Sequence, residues 1–406
     1  MADARPYDLI SPAFQANPFP EFDRMRADGP VVGIKLPIVG PIKLAVTHDA
    51  CVALLKDQKT FVRDGRNAGK RSQIGILQWL PRPVRVLADN MLGHDDPKHR
   101  MLRGLVDQAF ARRGIDTLRS MIVDIADQLL HRLEGRREVD LMTEFCRDLP
   151  LSVICAMLGL PERDHPIFKR WMGGIADTAN VWAVLRAIPG VLRTVTYVRK
   201  MAQPGSEAKP DGLIAALRDA RIDGRRLSDD EMASMVFLLF AAGQETTTHL
   251  IGGGLHTLLV NREQRLRLAA DPAFMPLAVE ECLRHVSPVQ MSKPRFAAED
   301  TELAGIPIRR GEAVAALLSA ANCDPAKFDD PHRFDIGRHP NPHIAFGTGV
   351  HFCLGFQLAR VEAAIAFERF FARFPNAVLA HAEDHNLWRR RFGIRALASL
   401  PVRLSA

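Results

Sequence analysis

Residues 227–260 form the longest uninterrupted helical pattern in the chain and read LSDDEMASMVFLLFAAGQETTTHLIGGGLHTLLV. Ser228, followed three residues later by Glu231, is the pattern of a capping box, which satisfies two free N–H groups at a helix start. The stretch has no proline, and a helix of roughly thirty residues at 1.5 Å per residue is about 45 Å long, enough to cross a whole domain. Apolar residues lie on most of its faces, so we predict a buried central helix in a large helical core.

Two further helices are predicted downstream. One runs from about Phe274 to His285 and ends at Ser287-Pro288. The other is predicted to begin at Cys353 and to end before Pro375, because proline cannot continue a helix. Four apolar residues spaced four, three and four apart give this last helix a single apolar stripe: Leu354, Leu358, Val361 and Ile365.

Alternating apolar residues predict a few short strands. The three patterns are Ile42, Leu44 and Val46; Leu303, Ile306 and Ile308; and Leu400, Val402 and Leu404. Gly305 within the second pattern predicts a hairpin. Pro401 has no N–H to give to a sheet, so we expect the last strand to lie at a sheet edge. The predicted fold class is mainly α with small β-sheets, in a single domain over residues 1–406.

The composition is that of a globular protein. Of the 406 residues, 47% are hydrophobic and 25% are charged, which excludes a disordered chain, a collagen and a small disulfide scaffold. No run of 18 apolar residues occurs and the start MADARPYDL is polar, so neither a membrane anchor nor a secretory leader is predicted. The six cysteines form no CxxC pair, which favours a reducing, cytoplasmic location.

The charge balance is basic, with 54 Lys and Arg against 47 Asp and Glu, a formal net charge of +7. Such a balance suits an acidic protein partner, a nucleic acid or a membrane surface. Nucleic acid is the weaker of these, because 2 Tyr and 4 Trp are too few for a platform on which bases stack.

Residues 346–355, FGTGVHFCLG, contain the strongest candidate for chemistry, Cys353. The glycines before and after the cysteine allow the backbone to approach a ligand closely. A helix that began at Cys353 would offer N–H groups and a positive dipole end to a thiolate, and such hydrogen bonds tune a thiolate that binds iron. A buried, inert cysteine in a glycine-rich loop is the alternative.

The central helix contains AGQETT at residues 242–247, which places Glu245 and Thr246 side by side in an apolar environment. Burying an acid and a hydroxyl there is costly without a purpose. A Thr hydroxyl beside a glycine tends to bend or open a helical turn, which leaves room for a small ligand and a water. Alternatively, Glu245 faces solvent and Thr246 bonds to its own helix.

Two further pairs of residues share a helical face. Glu281 and Arg284 are three apart, and taken alone such a pair is usually exposed and weak. His99 and Arg103 are four apart, at the start of a helix that follows Pro97. They can donate in parallel to one anion, although a solvated basic face is equally compatible with the pattern.

Together, in this order and spacing, these motifs resemble the cytochrome P-450 haem-thiolate monooxygenases of the soluble bacterial type. Residues 346–355 fit the cysteine loop of that family, residues 242–247 fit its oxygen-binding helix, and residues 281–284 fit its Glu-x-x-Arg pair. The similarity runs from the Pro18–Pro30 region to the final strand. The implied fold is the cytochrome P-450 fold, in which a long central helix crosses a haem-binding core.

The resemblance implies a role for each matching residue. Cys353 would be the axial thiolate ligand of the iron of haem b (iron protoporphyrin IX), and Thr246 and Glu245 would supply the protons that O2 activation consumes. The commoner acid in the family is Asp, one methylene shorter than Glu245. Glu281 and Arg284 would be structural, together with Arg333 or a neighbour in residues 331–334.

Ten residues would contact the cofactor by similarity: His99, Arg103, Ala242, Thr246, Arg295, Phe346, Gly347, His351, Cys353 and Gly355. Among them, His99, Arg103, Arg295 and His351 would neutralise the haem propionates, because buried carboxylates need several cationic or N–H donors. Lys293 is the alternative to Arg295.

The resemblance also implies partners and a pocket. The partners are O2, a hydrophobic small-molecule substrate, and a separate ferredoxin or flavodoxin with its reductase, since the sequence has no four-cysteine cluster pattern of its own. Arg100, Arg112 and Arg113 would lie near the docking face of the electron carrier. The expected pocket walls are Ile76, Trp79, Leu238, Ala242, Val289 and Met291, with a lid within 168–193. A cluster of Arg63, Arg66, Lys70 and Arg71 could bind a substrate carboxylate or simply be solvated.

Three classes of function are weighed. The favoured one is an O2-dependent monooxygenase that hydroxylates, or otherwise oxidises, an apolar molecule. The second is a haem-thiolate protein with another role, namely rearrangement, coupling or gas binding. The third is a metal-free helical binding module, which would leave the three motifs as coincidences.

Overall fold

A computed structural model describes residues 7–36, 40–70, 86, 89–111, 115–173, 181–203, 205–381 and 387–404. The chain forms two compact units. The first unit comprises residues 1–70, 126–146 and 246–406, and the second comprises residues 71–125 and 147–245. Whether residues 1–406 act as a single domain stays a prediction.

The described residues are mainly helical, as predicted. The helices are α1 (Pro12–Ala16), α2 (Phe19–Asp28), α3 (His48–Lys56), α4 (Lys98–Ala111), α5 (Ile115–His131), α6 (Asp148–Leu158), α7 (His165–Gly173), α8 (Val181–Ala202), α9 (Leu213–Asp219), α10 (Asp229–Val260), α11 (Arg262–Ala270), α12 (Met275–Val286), α13 (Leu318–Ala321) and α14 (Phe356–Arg373). In the part of the chain that is described, no helix combines the length and the apolar character needed to cross a membrane.

Helix α10 is the predicted central helix, with 32 residues. Its capping box forms as expected: the Ser228 N–H donates to Glu231 Oε2 at 3.0 Å and the Glu231 N–H donates to Ser228 Oγ at 3.2 Å. Within the first unit, the three glycines 252–254 allow close packing. A Cβ added at Gly254 would lie 2.3 Å from Phe367 Cζ, and one at Gly253 would lie 2.5 Å from Val286 Cγ1, so α10 packs directly on α12 and α14.

The strands are short and belong to the first unit: β1 (Val31–Leu36), β2 (Gly40–Ala45), β3 (Phe61–Val62), β4 (Glu138–Asp140), β5 (Arg295–Ala297), β6 (Thr301–Leu303), β7 (Ile306–Ile308), β8 (Ala313–Ala316), β9 (Val378–Leu379) and β10 (Pro401–Arg403). They form a five-stranded sheet ordered β1-β2-β8-β5-β3, a three-stranded sheet ordered β4-β10-β9, and the hairpin β6-β7. All pairs are antiparallel except β2 with β8. The predicted hairpin is confirmed, with positive φ at both Ala304 and Gly305.

The expected edge position of the last strand is wrong, because β10 lies between β4 and β9. Pro401 is tolerated there because it is the first residue of the strand, where a missing N–H removes little from the ladder. Its carbonyl still accepts a hydrogen bond from the Ala380 N–H at 2.9 Å.

The predicted start of the last long helix is also wrong. Helix α14 begins at Phe356, three residues after Cys353, with Gly355 as its N-cap residue. Residues 349–351 form a short 3₁₀ turn before the cysteine. Cys353 therefore lies in the loop before the helix, and not at the first residue of the helix as we expected.

Candidate active site

The loop before α14 is held in place by its own backbone. The Cys353 N–H donates to the Phe346 carbonyl at 3.0 Å, and the Gly347 N–H donates to the Ile344 carbonyl at 2.9 Å. Gly349 has a φ of +74°, and a Cβ there would lie 2.5 Å from the Leu55 carbonyl oxygen. Glycine is thus needed for both the turn and the close approach to α3.

Cys353 differs from the other five cysteines, which are Cys51, Cys146, Cys155, Cys282 and Cys323. Those five are buried, whereas Cys353 is partly exposed, and all six are free thiols. Burial raises the pKa of Cys51 and Cys282, and raises that of Cys323 to about 11. A thiolate is the form that binds metal, so Cys353 is the cysteine best placed for it.

The chain around Cys353 leaves an open apolar cradle. Six apolar residues that globular proteins normally bury are only partly buried here: Val350, Phe352, Leu354, Phe356, Leu358 and Val361. A Cβ built at Gly347 or Gly355 would meet no atom within 4 Å. One turn further along α14, Ala363, Ile365 and Phe367 are fully buried. A thiol beside such a surface fits an apolar, planar, iron-containing group such as haem.

The middle of α10 also has side chains that are accessible to solvent, like those around Cys353. Ala242 is exposed, and Glu245 and Thr246 are partly buried, although Phe240 and Leu250 on either side are at most 2% exposed. Ala242 and Thr246 are one helical turn apart and Glu245 lies on the adjoining strip, so the three share a face. The predicted acid–hydroxyl pair therefore lies on a face that the protein leaves accessible.

In the first unit, Arg295 and Lys293 have very different surroundings. Arg295 is 2% exposed, and its guanidinium donates to the carbonyls of Leu55 at 3.0 Å and Phe61 at 3.3 Å. Lys293 is accessible to solvent and has no hydrogen-bond or ion-pair partner for its ammonium among the described residues. Desolvation by the surrounding protein, and then the charge of Arg63, lower the pKa of Lys293 to about 8.

In the second unit, His99 and Arg103 lie one turn apart on α4, as predicted. His99 is 3% exposed, with Nδ1 3.6 Å from Asp96 Oδ1, and burial lowers its pKa in spite of that carboxylate. Arg103 Nε lies 3.2 Å from Asp107 Oδ1. In the first unit, His351 closes the 3₁₀ turn that precedes Cys353.

Glu281 and Arg284 on α12 form a fully buried ion pair. Arg284 donates through Nε to Glu281 Oε2 at 2.8 Å and through Nη2 to Oε1 at 2.7 Å, and both side chains have 0% exposure. The guanidinium also donates to three backbone carbonyls: Asn322 at 3.0 Å, Pro331 at 2.6 Å and Arg333 at 3.0 Å. The pair therefore holds α12 against two loops, a geometry that suits the structural role expected of it.

The expected segment, residues 331–334, takes part in this network through the backbone carbonyls of Pro331 and Arg333. Arg333 takes part only through its carbonyl, and the side chain that reaches Glu281 is Arg338, whose Nε is 3.2 Å from Oε2. Asn341 Nδ2 donates to the same carboxylate at 3.1 Å and the Asp335 N–H at 3.0 Å. The loop after residue 334 folds back over the carboxylate, and no local sequence pattern indicates this.

Sequence reasoning missed a second ion network, which joins α12, α14 and the loop before Cys353. Arg360 donates to Glu280 through Nε at 2.5 Å and Nη2 at 2.7 Å. His343 Nε2 lies 3.0 Å from Glu280 Oε2. These residues are far apart in sequence, and no local pattern marks them as partners.

Glu362 is a buried acid that the motifs also did not indicate. It is 2% exposed, and its Oε2 has no hydrogen-bond partner among the described residues. Burial raises its pKa from 4.5 to about 8. The carboxyl is therefore protonated in the folded chain at pH values where the unfolded chain is ionised.

We expect Glu362→Gln to change how stability depends on pH. The stability from the protonated carboxyl is complete below about pH 4.5 and is lost as the pH rises through about 8, a difference on the order of 5 kcal/mol. The melting temperature of the wild type should therefore fall about 5 °C further than that of the variant between pH 5 and pH 8.5. Glu368→Gln, on the exposed side of the same helix, should follow the wild type, and parallel profiles for all three proteins would contradict the prediction.

Of the predicted pocket residues, two in the first unit lie on the stretch after α12. Val289 makes an antiparallel bridge with Ile394, and Met291 contacts Gly393; both are partly buried. In the second unit, Leu238 is 7% exposed on α10. Ile76 and Trp79 lie outside the described residues, as do Arg71, Arg112 and Arg113. The pocket assignment stays a prediction.

Comparison with known proteins agrees with this geometry. A family model for cytochrome P450 matches residues 165–386. The chain is 38% identical over 395 residues to the polyketide biosynthesis cytochrome P450 PksS of Bacillus subtilis (strain 168), covering 97% of each. The solved structure of PksS aligns with a TM-score of 0.87 at 36% identity, covering 98% of this chain and 100% of that chain.

Two other proteins have a similar level of sequence identity to this chain. The cytochrome P450 monooxygenase PikC of Streptomyces venezuelae is 36% identical over 397 residues, covering 96% of this chain and 92% of PikC. A myxobacterial cytochrome P450 solved in complex with myristic acid aligns with a TM-score of 0.86 at 40% identity, covering 98% of each chain. The chain belongs to the cytochrome P450 family.

Membership of this family defines the reaction class. The protein is a haem-thiolate monooxygenase, an oxidoreductase that incorporates oxygen from O2 into a hydrophobic substrate and receives electrons from redox partners. The predicted fold and family are thereby confirmed, and the alternatives of a gas carrier and a metal-free binding module are set aside.

Proposed function

We propose that this chain uses O2 and two electrons from a separate ferredoxin or flavodoxin to hydroxylate an apolar small molecule, and that the thiolate of Cys353 would bind the iron of haem b. The observation that supports this most directly is the partly exposed thiol of Cys353 beside an open cradle of apolar side chains and glycines. When bound, the haem supplies the oxidising chemistry, since thiolate donation favours cleavage of the O–O bond.

Each residue near the cofactor has a proposed task. Ala242, Phe346, Gly347 and Gly355 border the ring, since small or planar groups allow close approach. His99, Arg103, Arg295 and His351 neutralise the propionates, as buried carboxylates require. The carbonyls of Leu55 and Phe61 fix the Arg295 guanidinium.

Thr246 and Glu245 are proposed to move protons. The pair lies on the accessible face of α10, where a hydroxyl can hold a water and a carboxylate can relay a proton to it. O2 reduction in a monooxygenase consumes protons, so losing this relay should divert electrons into peroxide rather than stop electron uptake.

Thr246→Ala tests the proposed function. We expect the variant to bind haem and to show the same red-shifted reduced-CO band as the wild type, while product formed per NADH falls about tenfold and peroxide rises. Product, NADH and peroxide are measured with a surrogate ferredoxin system and a substrate chosen by its spin-state change. Thr247→Ala, at a buried neighbouring position, is the control and should stay coupled. Undiminished coupling in Thr246→Ala would overturn the proton-delivery role.

The substrate is proposed to carry a carboxylate that binds Lys293. The cluster considered from the sequence is largely engaged elsewhere: Arg66 pairs with Asp64, and Arg63 donates to the carbonyls of Lys293 and Pro294 at 2.8 and 2.7 Å. The ammonium of Lys293 has no such partner among the described residues. The relative solved with myristic acid shows that a P450 of this similarity accepts a fatty acid.

We expect Lys293→Met to weaken myristic acid binding about tenfold and to leave binding of methyl myristate unchanged, because only the acid has a charge to pair. Since the pKa of Lys293 is about 8, acid binding to the wild type should also weaken as the pH rises from 7 to 9. Spin-state titrations measure both dissociation constants. Equal losses for acid and ester would exclude the ion pair, and loss of haem from the variant would assign Lys293 to a propionate instead.

The electron donor and the cellular location complete the proposal. The net charge of +7 suits an acidic carrier such as a ferredoxin or flavodoxin, and Arg100, with its side chain 80% exposed, is a candidate contact for it. The six free thiols suit a reducing cytoplasm. Residues 1–406 are proposed to make up one haem domain, since PksS matches 97% of the chain.

A further inference from the structure

We propose that Glu280, Arg360 and His343 form a positioning network that sets the geometry of the Cys353 thiolate through Phe346. This proposal rests on the proposed function, in which Cys353 binds the haem iron. The network is separate from the Glu281–Arg284 pair, although Glu280 and Glu281 are neighbours on α12. All of its members belong to the first unit.

The network begins with a bidentate ion pair. The planar guanidinium of Arg360 meets both oxygens of Glu280, at 2.5 and 2.7 Å, a geometry that fixes direction as well as distance. Although desolvation opposes it, hydrogen bonds from Arg360 and His343 lower the pKa of Glu280 to about 2. The carboxylate therefore stays ionised throughout the working pH range, and α12 holds Arg360 of α14 in one orientation.

His343 extends the network into the loop. Its Nδ1 lies 3.3 Å from the Ala345 N–H, and its Nε2 lies 3.0 Å from Glu280. Nδ1 therefore accepts from the backbone while Nε2 carries the proton that Glu280 accepts, which defines the tautomer. Through this histidine, Glu280 holds the backbone immediately before Phe346.

Arg360 holds the Phe346 ring itself. Its guanidinium carbon lies 4.6 Å from the centroid of the Phe346 ring and 5.4 Å from that of Phe356, within the range of a cation–π contact. The Phe346 ring also makes edge contacts with Phe352 and Phe356, both at 6.4 Å between centroids. These contacts fix Phe346 on two sides.

The last step runs from Phe346 to Cys353. The Phe346 carbonyl accepts the Cys353 N–H at 3.0 Å, so displacement of Phe346 moves the peptide group that bears the thiolate. Donors and dipoles next to a metal-bound thiolate control its donation to the metal. The network acts on this geometry without touching the cofactor, so its residues are positioning residues.

A second ion pair on α14 provides a matched control. Arg369 donates to both oxygens of Asp127 at 2.8 and 2.6 Å, nine residues after Arg360 on the same helix. The two pairs are alike in exposure, at 32% and 26% for Arg360 and Glu280, and at 35% and 30% for Arg369 and Asp127. Pairs with this exposure contribute little stability, so Arg→Lys should affect folding similarly at both positions.

The experiment compares Arg360→Lys with Arg369→Lys in the holoenzyme. The measured quantity is the fraction of reduced, CO-bound protein in the red-shifted thiolate band, as opposed to the shorter-wavelength band of a protein without thiolate ligation. We expect this fraction to fall at least threefold in Arg360→Lys and to stay at the wild-type level in Arg369→Lys, with similar melting temperatures. Equal fractions in the two variants would overturn the proposal.

Glu280→Gln is a second variant, isosteric with the wild type, that removes the charge and leaves the shape. We expect it to lower the thiolate fraction in the same direction, and the double variant Glu280→Gln/Arg360→Lys to be no worse than Arg360→Lys, because both act through one contact. Additive losses would exclude a single network. A wild type without any red-shifted band would contradict the proposed function itself, which keeps the two failures distinct.

Discussion

Cys353→Ala is expected to remove the red-shifted reduced-CO band completely and, with it, all product formation. The reason is that the other five cysteines are buried, and burial raises the pKa of three of them, Cys51, Cys282 and Cys323. None of these five can replace the thiolate without rebuilding the core. Haem content is expected to fall as well, since the remaining contacts of the cradle are apolar and are not bonded to the metal. Absorbance of the reduced, CO-bound protein measures the band directly.

Cys51→Ala is the appropriate control for this variant. The Cys51 thiol donates to the Ala45 carbonyl at 3.2 Å within the core of the first unit. Its removal should cost about 1 kcal/mol of stability and leave the band unchanged. A shifted band that survives in Cys353→Ala, or wild-type protein that is colourless after growth with ample iron and aminolaevulinate, would refute the assignment of the ligand.

Local sequence patterns predicted the elements of this fold well. The capping box at Ser228 and Glu231 and the absence of proline predicted α10, and the structure places both cap hydrogen bonds where expected. The β6-β7 hairpin followed from Gly305 in the same way. These features depend on interactions between residues a few positions apart, so a short stretch of sequence is enough to predict them.

Contacts between distant segments could not be predicted in this way. The central position of β10 depends on β4 and β9, and the contact of Arg338 with Glu281 depends on how residues 335–341 fold back. The start of α14 differs from the prediction because the N-cap residue is Gly355, two residues after the cysteine. For the candidate site, residue types and spacing indicated Cys353 and Thr246, whereas the Glu280–Arg360 pair required the structure.

The second large effect is expected at the buried pair on α12. Glu281→Gln leaves the Arg284 guanidinium at 0% exposure without its carboxylate. Removing one partner of a buried pair costs about 3–5 kcal/mol, because the other charge is left uncompensated. That is a large share of the roughly 5–15 kcal/mol that stabilises a typical folded domain. We therefore expect little folded holoprotein to accumulate, measured as haem absorbance per amount of polypeptide.

Arg338→Met is the matched comparison, because Arg338 contacts the same carboxylate from a position where its side chain is 11% exposed. Water can partly replace the Arg338 guanidinium, so losing Arg338 should cost less stability than losing Glu281. The double variant Glu281→Leu/Arg284→Met is more informative. Apolar replacement of a buried pair often restores stability, but here it would leave the Asn322 and Pro331 carbonyls and the Asp335 N–H without the partners that the pair provides. Buried groups left without partners cost about 1–3 kcal/mol each, so the double variant should stay unstable. A double variant as stable as the wild type would show that these three backbone bonds contribute nothing to holding the two loops on α12.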